Sequence, residues 1–380
     1  MNGGLSVRLL ICAGGTGGGV YPALAVLERL QGEGSLFEGS NLQAPPSLEL
    51  LWVGSEGGME EALVKRQGIP YKSIPAAGVH GVGVRALPRN LFTLARGVLA
   101  ARRIVRQFQP DVLFFTGGFV TVPMAFAVRR SIPMLMYVPD IEPGMALQYI
   151  ARFASRIAVT ADESRKYFTQ SNIVVTGYPL RSDLWVWDRQ TANHHFGISG
   201  RLPVLLIFGG SRGARSINMT VLKRLHLLLE RFEMIHLTGE LDWPVVQATI
   251  AELPKKLTNN YHAIPYLHEM GAALAAADLV VSRAGASTLG EFPLFGLPAV
   301  LVPYPFAWRY QKVNADYLAR RGAAIILNDS LLQDELVTTL IVLLENPAKL
   351  KAMRAAMFQL SHPRAAEKIA AQLLELAGEK

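Results

Sequence analysis

Cysteine and charge are both scarce in this chain of 380 residues. The single cysteine, Cys12, excludes a disulfide framework within the chain and is typical of proteins in a reducing cytoplasm. Charged residues make up 18% of the sequence and apolar residues 50%, whereas a disordered chain would carry more charge and fewer apolar groups. We therefore expect a folded protein that stays inside the cell.

Long hydrophobic runs are also missing. The longest apolar stretch, residues 112–128, is interrupted by Gly117, Gly118 and Pro123 and is shorter than the roughly 20 residues that a membrane-spanning helix needs. Residues 1–5 carry no positive side chain, and the short apolar stretch 9–13 runs directly into glycines, so we expect a buried strand there and not a signal peptide. The sequence predicts no transmembrane helix.

The order of the segments that are present predicts two α/β domains. The length exceeds one ordinary domain and suits two domains of roughly 150–200 residues. Apolar runs alternate with helix-length segments in both halves, which predicts two doubly wound, Rossmann-like domains with parallel sheets. These runs are 9–13, 48–53, 112–115, 134–138, 156–159, 173–176, 204–208, 233–237, 279–282, 299–302 and 324–327. Residues 181–203 break the alternation, so the predicted domains are 1–185 and 200–380, with the linker near 180–200.

The end of the chain and the expected ligand position follow from the same pattern. Residues 347–380 are rich in Ala and Leu with interspersed charge, and they predict helices that close the structure. Packing of the last helix against the first domain is an open option. Ligands of doubly wound sheets collect beyond the carboxyl ends of the strands, so a cleft between the domains is the expected active site.

The first predicted strand ends in a glycine loop, Gly14–Pro22, that leads into a helical pattern. Free N–H groups and the helix dipole make such a helix start an anion site. The glycines lack the G-x-G-x-x-G spacing of dinucleotide-binding proteins, and no Walker lysine follows, so dehydrogenase and P-loop functions are excluded. A purely structural turn would rarely need five glycines in six positions, which favours close approach of a ligand to the backbone. Gly117 and Gly118 follow another strand and are expected beside this loop, although they alone are equally typical of a tight turn.

Two further loops repeat this design in the second half. Residues 209–215 again follow a strand and open a helix. Residues 282–291 place Ser287 and Thr288 in the first turn of a predicted helix, where they can meet phosphate oxygens, and Glu291 one turn later, where it can accept both ribose hydroxyls. The alternative is a capping box, in which Ser287 or Thr288 caps the helix and Glu291 is the capping acid.

The basic character of the chain favours an anionic partner, because the net charge is +8. Residues 84–109 concentrate this charge, with six arginines among regularly spaced apolar residues. A basic amphipathic helix of this kind can lie on an anionic bilayer. An ordinary surface helix that packs by its apolar face has the same pattern, and the pattern leaves both open.

Taken together, these motifs resemble those of the MurG family of bacterial N-acetylglucosaminyltransferases. The similarity covers nearly the whole chain in order. It includes Gly14–Pro22, 117–119, 177–181, 209–215, Tyr266–Met270, 283–291, 296–298, Gln311 and Asn314. The resemblance implies the GT-B fold, with two Rossmann-like domains facing a cleft. It also implies inverting transfer of GlcNAc from UDP-GlcNAc to an undecaprenyl-pyrophosphate-linked MurNAc-pentapeptide acceptor during peptidoglycan synthesis.

The resemblance also implies roles for residues at matching positions. Leu267 would offer backbone groups to uracil, Glu291 would hold the ribose, and Gln311 would contact the sugar. The substrate-binding set comprises Thr16, Gly17, Gly18, Arg181, Ser211, Leu267, Ala286, Ser287, Thr288, Leu289, Gly290, Glu291 and Gln311. Of these, Thr16, Gly17 and Gly18 would lie near the acceptor pyrophosphate and the transferred sugar, while Gly117 and Gly118 would also hold the acceptor pyrophosphate. No cofactor and no metal are expected, since the Asp-x-Asp metal motif is absent and the lone histidines lack metal-ligand spacing.

The sequence departs from this family where the chemistry is expected. Gly19 stands where the family usually has a histidine, and residues 137–140 replace its His-Glu-Gln-Asn segment. A histidine that could serve as the base is therefore missing, and Tyr310 beside Gln311 replaces one of the usual paired glutamines. Our hypothesis is that Asp140 or Glu142, on the loop after the strand 134–138, takes the proton from the acceptor hydroxyl, since general-base catalysis contributes on the order of 10²–10⁴-fold.

The expected partners are UDP-GlcNAc, the lipid-linked acceptor and the anionic inner leaflet of the cell membrane, with no nucleic acid. The protein is expected on the cytoplasmic face of the membrane as a peripheral protein. Two alternatives stay open because the departures cluster in the first domain. One is a UDP-sugar-dependent transferase with a different lipid acceptor, and the other is a UDP-sugar-binding protein without catalytic activity.

Overall fold

The computed structural model describes residues 6–15, 17–32, 47–78, 87–129, 131–170, 172–210, 213–305 and 310–378. The chain divides into two compact units. The first unit comprises Met1–Arg181 together with His362–Lys380, and the second comprises Ser182–Ser361. The last segment of the chain thus belongs to the first unit.

The first unit is built on a parallel sheet of seven strands in the order β3-β2-β1-β4-β5-β6-β7. The strands are β1 (Ser6–Ala13), β2 (Ser47–Ser55), β3 (Tyr71–Ile74), β4 (Val112–Gly117), β5 (Met134–Val138), β6 (Arg156–Val159) and β7 (Ile173–Val175). The helices are α1 (Gly17–Leu30), α2 (Glu60–Arg66), α3 (Leu87–Phe108), α4 (Thr121–Val128) and α5 (Met145–Ile150), with 3₁₀ turns at Ala151–Phe153 and Asp162–Tyr167.

The alternation of side chains along β1 shows why helices cover both faces of this sheet. Leu9 and Ile11 point into one hydrophobic core, which also contains residues of α1 and of the C-terminal helix Ala365–Gly378. Leu10 and Cys12 point into a second core, with residues of α3 and α4. Both faces of a parallel sheet must be buried because its strands are apolar on both sides.

The second unit is built on a parallel sheet of six strands in the order β10-β9-β8-β11-β12-β13. The strands are β8 (Val204–Phe208), β9 (Glu233–Leu237), β10 (Tyr261–Ile264), β11 (Leu279–Ser282), β12 (Ala299–Leu301) and β13 (Ala324–Ile326). The helices are α6 (Arg189–Phe196), α7 (Arg215–Lys223), α8 (Leu225–Leu229), α9 (Trp243–Glu252), α10 (Lys255–Thr258), α11 (Met270–Ala276), α12 (Thr288–Phe295), α13 (Tyr310–Arg320), α14 (Leu332–Leu344) and α15 (Pro347–Phe358). Short 3₁₀ turns lie at Ser182–Leu184 and Asp329–Leu331, and the C-terminal helix Ala365–Gly378 of the first unit is α16.

The strand orders place the ligand-binding edge of each unit. The order of the first six strands in the first unit and of all six in the second is that of the Rossmann fold, so the fold prediction is confirmed. The direction of winding reverses between β1 and β4 in the first unit and between β8 and β11 in the second. Doubly wound sheets bind ligands beyond the carboxyl ends of the strands at such a switch point. The four glycine-containing loops follow these four strands.

Most predicted strands agree with the structure, and five have identical bounds: 134–138, 156–159, 204–208, 233–237 and 279–282. The sequence missed β3 and β10, each of which lies at an edge of its sheet. The interval predicted as a linker contains α6, which Asp188 and Thr191 begin with a capping box and Gly197 ends in a left-handed conformation. None of the helices within the described ranges is long and apolar enough to cross a membrane.

Candidate active site

The first glycine loop joins β1 to α1. Gly14 and Gly15 follow the strand, and Gly17 and Gly18 form the first turn of the helix. Thr16 lies outside the described residues. The first N–H groups of a helix have no partner within the helix, and they carry the positive end of its dipole. An anion near Gly17 and Gly18 would therefore be stabilised.

Packing accounts for part of the glycine content of this loop. A Cβ on Gly14 would clash with the Glu60 carboxylate, and a Cβ on Gly17 would lie 2.9 Å from Cε2 of Tyr21. At Gly19, by contrast, the nearest atom to an added Cβ would be the Gly14 carbonyl oxygen at 3.5 Å, which is an ordinary contact. Position 14 requires glycine because the Glu60 carboxylate occupies the space that a Cβ would need. The number of glycines in this loop therefore does not by itself indicate that a ligand approaches the backbone.

The second glycine loop lies directly against the first. Ala13 pairs with Gly117 where β1 and β4 end. A Cβ on Gly118 would lie 2.5 Å from the Gly14 carbonyl oxygen, so only glycine allows the two backbones to approach this closely. The Thr116 hydroxyl donates a hydrogen bond of 2.6 Å to the Gly19 carbonyl and joins β4 to α1. Gly117 and Gly118 are thus adjacent to the start of α1.

The loop after β5 carries both candidate bases, which differ in exposure. Asp140 is half-buried, whereas Glu142 is only 4% exposed. Tyr137, at the end of β5, lies in the core, where its hydroxyl is 2.8 Å from that of Thr160 and burial raises its pKa. A buried phenol of this kind does not supply a base at neutral pH.

Arg181 lies at the end of the first unit and beside the first glycine loop. Its guanidinium carbon is 4.6 Å from the ring centroid of Tyr21, a cation–π contact. Tyr21 is the same residue that packs against Gly17. This contact holds a positive charge near the start of α1, which the sequence alone could not show because Tyr21 and Arg181 are far apart in the chain.

The third loop joins β8 to α7 and is held by contacts with the loop after β9. Ser211 lies outside the described residues. Gly210 and Gly213 have φ angles of +92° and +76°, which favour glycine. A Cβ on Gly213 would clash with the Thr238 carbonyl oxygen, so this glycine is required where the two loops meet.

A buried polar network supports this third loop. His236 on β9 contacts the Tyr261 hydroxyl at 2.9 Å and the Asn218 side-chain oxygen at 3.1 Å. Asn218 in turn donates to the Thr238 carbonyl and to Asp242, which pairs with Arg215. Burial lowers the pKa of His236 to about 3, so the ring is neutral at physiological pH. His236 is thus a structural histidine in the core of the second unit.

The fourth loop leads from β11 into α12 and contains most of the predicted donor residues. Ser287 precedes the first helical residue, Thr288, but its side chain makes no capping hydrogen bond. The Thr288 hydroxyl donates to the Gly285 carbonyl at 2.7 Å, and Glu291 bonds to Ser287 through its backbone N–H. The capping-box alternative is therefore not realised.

Exposure distinguishes the remaining residues of the fourth loop. The side chains of Ala286, Thr288 and Leu289 are buried, and Gly290 is buried as well. Ser287 and Glu291 are half-buried. The backbone N–H groups of Thr288, Leu289 and Gly290 already donate to carbonyl groups of residues 285–287. The backbone N–H groups of Ala286 and Ser287, together with the side chains of Ser287 and Glu291, are thus the parts that can meet a ligand.

Arg283 organises the surroundings of the fourth loop. Its guanidinium pairs with Asp329, donates to the Ser216 hydroxyl at 2.9 Å and lies 5.1 Å from the Tyr304 ring centroid. Tyr304 donates its backbone N–H to the Gln311 side-chain oxygen at 2.8 Å, so this amide is already oriented. The sequence signalled Arg283 and Gln311 but not Ser216, Tyr304 or Asp329, because these come together only in space.

The remaining predicted residues lie near the same edge of the second sheet. Leu267 is half-buried in the loop after β10, between Tyr266 and His268, whose rings are 4.9 Å apart. The side-chain amide of Asn314 in α13 donates to the Ala284 carbonyl at 3.1 Å and so connects α13 to the fourth loop. Within the described ranges, no group of three or more His, Cys, Asp or Glu side chains is arranged to hold a metal ion.

Comparison with known proteins agrees with this architecture. Residues 9–159 match the glycosyltransferase family 28 N-terminal domain, and residues 204–369 match the corresponding C-terminal domain. The fold and the paired loops therefore define a two-domain glycosyltransferase of family 28.

Curated relatives specify the family further. The chain is 40% identical to the UDP-N-acetylglucosamine--N-acetylmuramyl-(pentapeptide) pyrophosphoryl-undecaprenol N-acetylglucosamine transferase of Roseiflexus sp. (strain RS-1), over 96% of this chain and 94% of the relative. It is 38% identical to the protein of the same name from Desulforudis audaxviator, over 98% and 99%. The crystal structure of Acinetobacter baumannii MurG aligns with a TM-score of 0.74 and 28% identity, over 97% of this chain and 99% of that one. The chain belongs to this family of N-acetylglucosaminyltransferases, the MurG family.

Proposed function

We propose that this protein transfers N-acetylglucosamine from UDP-GlcNAc to an undecaprenyl-pyrophosphate-linked MurNAc-pentapeptide, with inversion at the anomeric carbon. The main support is the presence of a helix start with adjoining loops at the switch point of each sheet. Both substrates carry a diphosphate, and both helix starts suit an anion. Full-length similarity to transferases with this name supports the particular substrates.

The second unit is proposed to bind the donor. The segment Ala286–Thr288 would face the diphosphate through the backbone N–H groups of Ala286 and Ser287 and the Ser287 hydroxyl, and the dipole of α12 would stabilise the departing UDP. Glu291 would accept hydrogen bonds from the ribose hydroxyls, because it is half-buried one turn into the helix. The Leu267 backbone would contact uracil, and Gln311 would contact the sugar. Ser211 completes the proposed donor ligands of this unit. Arg181, which belongs to the first unit, stays a predicted donor ligand.

The first unit is proposed to bind the acceptor. Gly17 and Gly18 at the start of α1, with Gly117 and Gly118 beside them, would receive the acceptor pyrophosphate, and Thr16 would contribute next to them. Asp140 is the proposed base for the acceptor hydroxyl, with Glu142 as the second candidate. The short distance between the first and second loops is the observation that supports a common phosphate site.

Attachment to the cytoplasmic face of the membrane is proposed to involve α3. Arginine side chains and large apolar side chains are exposed together on this helix. The exposed residues include Arg89, Leu91, Phe92, Arg96, Leu99, Arg102, Arg103 and Arg106. An exposed mixture of this kind suits the surface of an anionic bilayer, with the apolar side chains in the headgroup region.

A transfer assay tests the proposed function directly. Purified protein would be incubated with radiolabelled UDP-GlcNAc and lipid-linked MurNAc-pentapeptide, and the product identified. We expect a disaccharide product, and we expect Glu291→Ala to raise the KM of UDP-GlcNAc by about tenfold or more, since lost hydrogen bonds to a charged group cost about 1.5–3 kcal/mol. Glu335→Ala, on the exposed side of α14, is the matched control.

The outcomes of this assay separate the alternatives. Transfer only to a different lipid in a membrane extract would replace the acceptor assignment. Binding of UDP-GlcNAc without transfer to any lipid would replace the catalytic assignment. Unchanged UDP-GlcNAc binding in Glu291→Ala would contradict the donor-site assignment.

A further inference from the structure

Glu60, the first residue of α2, places a carboxylate directly behind the first glycine loop. Its side chain is fully buried, with 0% exposure. One carboxylate oxygen accepts from the Ser55 backbone N–H at 2.8 Å and from the Ser55 hydroxyl at 2.7 Å. The other accepts from the backbone N–H of Gly15 at 3.3 Å. The carboxylate therefore connects the end of β2 to the loop that follows β1.

The carboxylate is ionised although no described cation pairs with it. Hydrogen bonds from Ser55 and Gly15 outweigh the effect of burial and hold the pKa of Glu60 below its ordinary value of 4.5. The negative charge in turn helps to raise the pKa of Tyr71 and Cys12. A buried charge is costly unless hydrogen bonds satisfy it. The buried carboxylate of Glu60 is therefore best explained by its hydrogen bonds, which orient the backbone N–H groups of Ser55 and Gly15.

The structure shows which peptide Glu60 orients. In the trans peptide between Gly14 and Gly15, the N–H and the C=O point in opposite directions. The N–H points at Glu60, and the Gly14 carbonyl oxygen lies on the side of Gly118 and Gly19. Because glycine permits many backbone conformations, this peptide could rotate without the carboxylate. Rotation would turn the Gly14 carbonyl away from Gly118 and change the space between the two loops.

We propose that Glu60 is a positioning residue for the acceptor: its carboxylate holds the Gly14–Gly15 peptide, so that the first and second glycine loops together form the subsite for the acceptor pyrophosphate. This inference rests on the proposed function, because it assumes that the acceptor binds at these loops. Glu60 itself does not touch the substrate. Its fixed position also explains the glycines at 14 and 58, since a Cβ at either position would clash with the carboxylate.

The variant Glu60→Gln tests this inference. Both carboxylate oxygens accept from backbone N–H groups, whereas an amide has one oxygen and an NH₂ group that would face one of these donors. We expect the KM of a soluble, short-chain analogue of the pyrophosphoryl-MurNAc-pentapeptide acceptor to rise about tenfold or more. The KM of UDP-GlcNAc should stay within about twofold, because the donor residues lie in other loops.

A neighbouring glutamate provides the matched control. Glu61 is half-buried and its carboxylate bonds to Lys65 one turn away, so Glu61→Gln changes the net charge equally without touching the loop. We expect wild-type values of both KM in this control. If Glu60→Gln leaves the acceptor KM unchanged, or raises both KM equally, the inference is overturned.

A second pair of variants serves if Glu60→Gln does not fold. Ser55→Ala keeps the carboxylate and its bond to Gly15 but removes the hydroxyl that holds it, and we expect the acceptor KM alone to rise about threefold. Ser55→Thr retains the hydroxyl, so its acceptor KM should equal that of the wild type. Equal values in Ser55→Ala and the wild type would overturn the inference. Failure of the wild-type protein to transfer GlcNAc to any acceptor would instead overturn the proposed function.

Discussion

At the scale of single residues, Asp140 and Glu142 show how exposure decides between chemically similar groups. A general base must come within hydrogen-bonding distance of the acceptor hydroxyl. Asp140 is half-buried on the loop after β5, whereas Glu142 is 4% exposed. We therefore expect Asp140→Asn to lower kcat by about 10²-fold or more, with little change in the KM of UDP-GlcNAc.

Rate measurements at saturating acceptor would check this prediction. Glu142→Gln should lower the melting temperature, because it alters a buried group, and it should leave kcat close to the wild-type value. Asp162→Asn, at an exposed site of the same unit, is the control. Full turnover by the double variant Asp140→Asn, Glu142→Gln would exclude both residues as the base.

His236 determines a pH dependence of stability. Burial lowers its pKa from 6.5 to about 3 in the folded protein. Below pH 6.5 the unfolded chain therefore binds a proton that the folded protein does not bind, and the folded state loses stability as the pH falls toward 3. At pH 5 this loss amounts to about 2 kcal/mol.

Denaturant unfolding at pH 7 and pH 5 would measure this loss. His236→Gln, which retains polar side-chain atoms but does not titrate, should show a smaller loss by about that amount. His226→Gln, at an exposed position of α8, should behave like the wild type. Identical losses in the wild type and His236→Gln would show that His236 is not the titrating group.

At the scale of elements, the strands differ in how clearly the sequence signals them. The strand 134–138 is buried along its whole length and reads as a continuous apolar run, so its bounds could be predicted. In β3, Lys72 and Ser73 are exposed at the edge of the sheet, and the apolar run is broken. The strand β10 also lies at an edge of its sheet, and its last three residues are only partly buried. Edge strands need only a partly apolar sequence, and they are stabilised by pairing with β2 and β9.

The helix α3 is the element whose role the pattern left open. Phe92 is 66% exposed and Leu99 57% exposed, so these side chains do not serve to pack the helix on its own unit. We expect Phe92→Glu to weaken binding to vesicles containing anionic phospholipid by about tenfold, because it removes an apolar group and adds a negative charge.

Vesicle co-sedimentation would measure this binding. Val342→Glu, on the exposed face of α14, makes a comparable change at a 52% exposed position of the second unit. It should leave vesicle binding unchanged. Equal effects of the two substitutions would assign the effect to net charge and not to α3.

At the scale of the whole molecule, the chain contributes its last helix to the first unit. Leu373 of α16 is 1% exposed and lies in the same core as α1 and β1. We expect Leu373→Ala to destabilise the first unit by about 2–5 kcal/mol, the usual cost of removing a buried leucine side chain.

Hydrogen exchange would locate this effect. Protection should fall in β1 and β4 but persist in β8 and β11. Leu340→Ala, at a fully buried position of α14, should give the opposite distribution. Loss of protection in β8 and β11 alone after Leu373→Ala would contradict the assignment of α16 to the first unit.

The sequence by itself determined the two α/β units, the positions of the glycine loops and the family, because these depend on local patterns of apolar residues and on motifs that stay contiguous. Only the tertiary structure showed that Glu60 lies behind Gly14 and Gly15, that Arg181 stacks on Tyr21, and that Asp329 pairs with Arg283. These contacts join residues that are distant in the chain. Their partners depend on strand order and loop packing, which no local pattern encodes.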